Sequence, residues 1–116
     1  MKIKLNGHEI EFDVFDLENM AAYQDGCATV SEIYNQPPEE GKTAIDRLRT
    51  MCDATLEFFE GCLGAEQTRA VFGERLNVKT LAEAFSVFTT SVNAEMEQFG
   101  AKMTSGMNRA ARRTQV

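Results

Sequence analysis

The residues best equipped for chemistry are few: one histidine, His8, three cysteines, Cys27, Cys52 and Cys62, and an acidic run, DVFDLE, holding Asp13, Asp16 and Glu18. Acid–base or nucleophilic catalysis ordinarily recruits a histidine or two carboxylates held in different environments. His8 follows an Asn6-Gly7 turn, where a solvated side chain is expected. The cysteines are odd in number and lie 25 and 10 residues apart, which fits neither a disulfide framework nor a C-x-x-C metal or redox motif. A reactive thiolate needs an electropositive setting or a helix N-terminus. Cys52 falls mid-helix on an apolar stripe and Cys62 near a helix C-terminus, so both read as small buried hydrophobes. The acidic run lacks the glycine and closing glutamate of a calcium loop. Gly61, Gly64 and Gly73 are not followed by the Lys-Ser or Lys-Thr pair of a phosphate loop. The expectation is a protein that is not an enzyme, with no catalytic residue, metal site or cofactor.

The elements that carry these residues are legible from patterning. In MKIKLNGHEIEFDVF, Asn6-Gly7 suits a two-residue hairpin turn because both positions accept positive φ. Closing there sets Lys4 opposite Glu9, Ile3 opposite Ile10, Lys2 opposite Glu11 and Met1 opposite Phe12. Charges then pair on one face and apolar side chains, Leu5 among them, share the other. A lone hairpin is marginal, so its apolar face must rest on the helices that follow. Asp16 can cap a first helix with Met20, Tyr23, Cys27, Val30 and Tyr34 in steps of three and four. Pro37 and Pro38 stop it within the loop NQPPEEG. Thr43 and Asp46 resemble a capping box for a second helix whose stripe begins at Ile45 and Leu48 and runs through Cys52, Thr55, Leu56 and Phe59 to Leu63. Met51, Phe58 and Cys62 make that stripe broader than one neighbour requires. Gly64 and Gly73 bracket a short helix, AEQTRAVF. Thr80 with Glu83 reads as a capping box for a last helix that carries Leu81, Ala84, Phe85, Phe88, Val92, Met96 and Phe99 and closes at Gly100. The expected fold is α+β and mainly α-helical, an N-terminal β-hairpin packed on about four helices. One globular domain covers 1–100, with the hairpin at 1–14 and helices at about 16–35, 43–63, 65–72 and 81–99; residues 101–116 form a flexible, mobile basic tail.

The totals permit such a core. With 43% hydrophobic and 26% charged residues in 116, the chain is too apolar to be wholly disordered. Residues 1–100 hold 18 acids against 8 Lys and Arg, while 101–116 hold Lys102, Arg109, Arg112 and Arg113 and no acid. An acidic body lacks the positive face that a nucleic-acid backbone requires. No apolar stretch approaches the roughly 20 residues that span a bilayer, and no secretion signal opens the chain, so the cytoplasm of a cell is the default location. Adjacent Phe58 and Phe59, and Phe85 with Val87 and Phe88, present more apolar surface than a small core needs, which points to contact with another protein.

The order Cys52, Glu57-Phe58-Phe59, Leu63-Gly64, Phe72-Gly73, Asn77 and Ala84-Phe85 with Phe88, preceded by FDLENM and closed by the basic NRAARR, resembles the small tail assembly chaperones of long-tailed bacteriophages and prophages of Gram-positive hosts. That resemblance implies a non-enzymatic protein of the host cell cytoplasm, absent from the mature virion. Several copies would coat the tape measure protein, keep it soluble and help bring the tail tube protein to polymerise around it. Many relatives of that kind are also made in a longer, frameshifted form. On this reading the second and last helices supply a groove with Phe58, Phe85 and Phe88, the tail touches an acidic partner through Arg109, Arg112 and Arg113, and a homo-oligomer is possible. Neither nucleic acid nor membrane is a partner. Two other readings are a small phage regulatory protein acting on a DNA-binding protein, and a non-catalytic subunit of a larger complex.

Overall fold

The computed structural model of the protein describes the backbone of residues 1–114 and the side chains of residues 1–106. Two strands, β1 (Lys2–Leu5) and β2 (His8–Glu11), are followed by four helices: α1 (Leu17–Tyr34), α2 (Ala44–Leu63), α3 (Ala65–Phe72) and α4 (Val78–Thr114). The fold is thus mainly helical with an N-terminal antiparallel hairpin.

The hairpin has the expected register, Lys2↔Glu11, Ile3↔Ile10, Lys4↔Glu9 and Leu5↔His8, and the Phe12 N–H donates to the Met1 carbonyl over 2.9 Å. Asn6 and Gly7 take φ of 49° and 78°, the two positive values that let a two-residue turn match strand twist. Ile3, Leu5, Ile10 and Phe12 are all buried. What they rest on is α3 and α4. Asn6 does more than turn the chain: its Nδ2 donates to the Val71 carbonyl at 2.8 Å and so pins the hairpin to α3.

Asp16 caps α1 by accepting from the Asn19 N–H at 3.1 Å, and Thr43 and Asp46 form a full reciprocal capping box on α2. The amide bond from Thr43 also holds the Asp46 carboxyl below its ordinary pKa. Gly64 joins α2 to α3 with φ 84° and ψ 156°. The positive φ was expected, but the extended ψ places it in a region open essentially to glycine alone rather than in the left-handed helical well.

Two expectations for α4 are corrected. It starts at Val78, where the Asn77 side chain accepts from the Thr80 N–H at 3.0 Å, so Thr80 sits inside the first turn and is not the cap. Asparagine is as good a cap as threonine and lies earlier in the chain. Nor does the helix close at Gly100: it continues to Thr114, so the backbone of 101–114 is helical where a tail was expected. A helical glycine costs about 1 kcal/mol relative to alanine, and strong formers such as Ala101, Lys102 and Met103 follow it. Gly64 and Gly73 end their helices by adopting positive φ, which Gly100 does not. Residues 115–116 lie outside the described residues. The long helix makes the molecule elongated, 70 × 32 × 21 Å, with a radius of gyration of 18.2 Å; a compact chain of this length would have about 13 Å.

Candidate functional site

Phe58 and Phe59 lie about 100° apart around α2, and both are buried because the second half of α2 is covered from two sides. Phe58 faces α1 and α4, with ring centroids 6.0 Å from Tyr23, 5.0 Å from Phe85 and 5.8 Å from Phe88. Phe59 faces α3 and α4, 4.9 Å from Phe72 and 5.5 Å from Phe88. Phe12 of the hairpin closes the cluster, 5.1 Å from Phe88. The edge-on geometries are those aromatic rings favour. This corrects the expected groove: Phe58 and Phe88 are core residues, Phe88 with 0% exposure, and Phe85 is half-buried against them. The breadth of the α2 stripe is consumed by the chain itself. Patterning along one helix measures how much surface is apolar and not how many neighbours will cover it.

The sequence reading missed Gly26. A Cβ built there would lie 2.5 Å from Phe58 Cδ2, so the missing side chain is what lets α1 approach that ring. The available signal was a lone glycine inside a helical pattern, which points to close packing.

The polar groups of the core are spent on structure. The Tyr23 hydroxyl donates to Asn93 Oδ1 at 3.0 Å, and Tyr34 and Thr55 share a hydrogen bond of 2.8 Å. Burial pushes the Cys62 thiol up to about 12, and it raises Cys52, Cys27 and Tyr23 as well. Those shifts disfavour thiolate, as the sequence reading expected of Cys52 and Cys62. His8 is exposed beside the turn, with Nδ1 donating to the Asn6 carbonyl at 3.0 Å. In the acidic run, Asp13 accepts from the Phe15 N–H at 3.1 Å and Asp16 is the α1 cap. Among the described residues, no group of three or more His, Cys, Asp or Glu is placed to hold a metal ion, and no helix is long and apolar enough to cross a membrane.

Apolar surface remains open in two places. The first turns of α2 carry Ile45, 67% exposed, and exposed Leu48, which continue the core stripe beyond its cover. Beside them the end of α1, the Pro37-Pro38 loop and the start of α2 enclose a cleft of about 330 Å³ lined in part by Ile33, Pro37, Pro38, Ala44 and Met51. Arg47 in its wall is committed, donating to the carbonyls of Gln36 at 2.8 Å and Tyr34 at 3.3 Å. The second place is α4 beyond Met96, where Phe99 and Met103 are 48% and 52% exposed. The Phe99 ring lies against Phe15, 4.7 Å between centroids, itself an exposed residue. The side chains of Arg109, Arg112 and Arg113 lie outside the described residues.

The fold and these surfaces define a small, mainly helical α+β protein with exposed apolar residues on α2 and α4. The chain belongs to the family of unknown function DUF6673, which matches residues 6–116. No curated protein and no solved structure matches it.

Proposed function

We propose that this chain is a phage tail assembly chaperone, which binds the tape measure protein, keeps it soluble and helps recruit tail tube subunits. It acts by non-covalent binding in the host cell cytoplasm, without catalysis or a cofactor, and does not remain in the mature virion. The reading rests on the pattern of residues from FDLENM to NRAARR. The observation that supports it most directly is the uncovered start of α2: Ile45 and Leu48 stand in solvent next to a cleft with apolar walls. An amphipathic helix from another protein lays anchors at such spacing into such a groove. The predominantly acidic body keeps coated assemblies apart by mutual repulsion. Phe58 and Phe88 have no part in this contact, being enclosed in the core.

Co-expression with a tape measure protein tests the proposal. The soluble fraction of that protein should rise when this chain is present, and the Ile45→Asp/Leu48→Asp variant should lower the gain. A tape measure protein no more soluble with the chain than without it removes the chaperone reading. A gain untouched by the double variant moves the contact to another surface.

A further inference from the structure

The chain treats the edges of its hairpin unequally. The Phe12 N–H bonds to the Met1 carbonyl, so alternation along the ladder makes Ile3–Ile10 and Leu5–His8 the other hydrogen-bonded pairs. The N–H and C=O groups of Lys2 and Lys4 on β1, and of Glu9 and Glu11 on β2, therefore point outwards. On the β2 side α3 answers, with Gln67 Oε1 accepting from the Glu11 N–H at 3.4 Å. On the β1 side, no hydrogen bond among the described residues takes up the outward groups of Lys2 and Lys4.

A groove runs beside that open edge. It encloses about 140 Å³ between Lys4 and Leu5 on one side and Thr80, Glu83, Ala84 and Val87 of α4 on the other. No residue of β2 lines it, which puts it on the outer flank of β1. Leu5 and Ala84 are buried, while Val87 stands 46% exposed with no cover. A strand laid along β1 would find backbone partners at its side and an apolar helix flank against one face, the arrangement in which an extended peptide is added to a sheet.

Charge selects that strand. On the solvent face of the hairpin Lys2 lies 3.6 Å from Glu9, whereas Lys4 forms no ion pair among the described residues. The β1 edge of a second copy would set lysines against lysines, so these residues guard the edge against self-pairing. A carboxylate beside Lys4 instead completes a favourable cross-strand pair. Glu83 in the groove wall applies the opposite rule to the other face, where a side chain directed at Val87 has to be uncharged.

We propose that the β1 edge and the groove beside α4 take up an extended segment of another protein as a third strand, its residues alternately acidic and apolar. The acidic side chains lie on the solvent face beside Lys2 and Lys4, and the apolar ones lie against Ala84 and Val87. The strand bonds to the free backbone groups of Lys2 and Lys4. This surface shares no residue with the start of α2 and does not depend on a tape measure protein.

Amide-resolved NMR of the full chain, titrated with the peptide Ser-Glu-Val-Glu-Val-Glu-Ser, tests it. At up to about 1 mM peptide the Lys2 and Lys4 amide signals should shift, and their hydrogen exchange should slow by about tenfold as open groups become bonded. The same peptide N-methylated throughout keeps its charges but has no N–H to donate, and it should not bind. Nor should the version with lysine in place of each glutamate. Lys4→Gln should weaken binding about two- to fivefold, the worth of one cross-strand pair, and Val87→Glu should weaken it by putting a second charge in the groove. Both positions are exposed, and unchanged amide signals of Ile10 and Phe12 in the free variants confirm that the hairpin stands. Lys2 and Lys4 amides that neither shift nor slow, or a methylated or lysine peptide that binds as well as the original, would overturn the proposal. So would shifts confined to Ile45 and Leu48, which assign the peptide to α2.

Discussion

Phe59 and Phe99 sit on helices with the same kind of apolar stripe, yet the first has 0% exposure and the second 48%. The difference lies in their neighbours. Phe59 stands where α3 and α4 converge on the second half of α2, whereas Phe99 stands on α4 beyond Met96, its ring against Phe15, itself exposed. The start of α2 repeats the situation: Ile45 and Leu48 continue the stripe of Cys52 and Phe59 past its cover. A stripe records where a helix can be covered, and element lengths decide where the chain covers itself. What remains open is available to other molecules.

The contrast breaks most visibly if both phenylalanines are truncated. Phe59→Ala removes a fully enclosed ring that packs edge-on with Phe58 and Phe88 and tilted against Phe72. It should lose about 3–5 kcal/mol in urea unfolding, a large part of the stability of a domain this size. Phe99→Ala should lose less than about 1 kcal/mol, because about half of the residue is already in water. Equal losses would mean that α4 is covered beyond Met96 in solution.

Two glycines sharpen the same contrast with the sign reversed between regions. Gly26→Ala gains helix propensity but drives a methyl group against Phe58, whose ring is enclosed and cannot retreat. A net loss of about 1–3 kcal/mol is expected, partly recovered by adding Phe58→Leu. Gly100→Ala meets nothing within 4 Å and should stabilise by about 0.5–1 kcal/mol. A stabilising Gly26→Ala would show that α1 sits further from α2 than described.

These outcomes also mark what the sequence could tell. The hairpin was readable to the residue, because Asn6-Gly7 fixes the register and alternation fixes the face. Asp16, Thr43 with Asp46, and Gly64 placed their helix ends well, since caps are local chemistry. Gly100 misled because glycine permits a stop without imposing one. The enclosure of Phe58 between α1 and α4, the approach of Gly26 and the cleft beside Pro37 depend on residues distant in the chain, and no window along one helix contains them. Of the surface first sought, Phe58 and Phe88 are core and Phe85 is half-buried against them, and the open apolar surface lies elsewhere on the same two helices, at the start of α2 and beyond Met96 on α4.

Titration separates the regions more gently. Cys62 has an ordinary thiol pKa of 9.0 and is pushed up to about 12 by burial, so its neutral form is favoured in the folded state. For a raised pKa the stabilisation is complete below the unfolded value and is lost as pH climbs towards the folded one. Unfolding free energy should hold through neutral pH and decline between 9 and 12, the interval set by those two values. Cys62→Ala should flatten that decline while lowering stability at neutral pH. A slope that persists undiminished in Cys62→Ala would assign it to other groups.

The smallest effect on stability, and the most informative about function, belongs to the start of α2. Ile45 is already 67% exposed, and neither it nor Leu48 belongs to the buried core cluster. Ile45→Asp/Leu48→Asp adds carboxylates at the second and fifth positions of α2, near an N-terminus that favours negative charge. Urea unfolding should therefore shift by no more than about 0.5 kcal/mol in either direction. Any partner that uses this surface loses two apolar anchors and meets two charges, so its binding should collapse while the fold stands. A variant that unfolds instead would mean that these side chains are covered by the chain itself, and the difference between the enclosed and open halves of α2 would disappear.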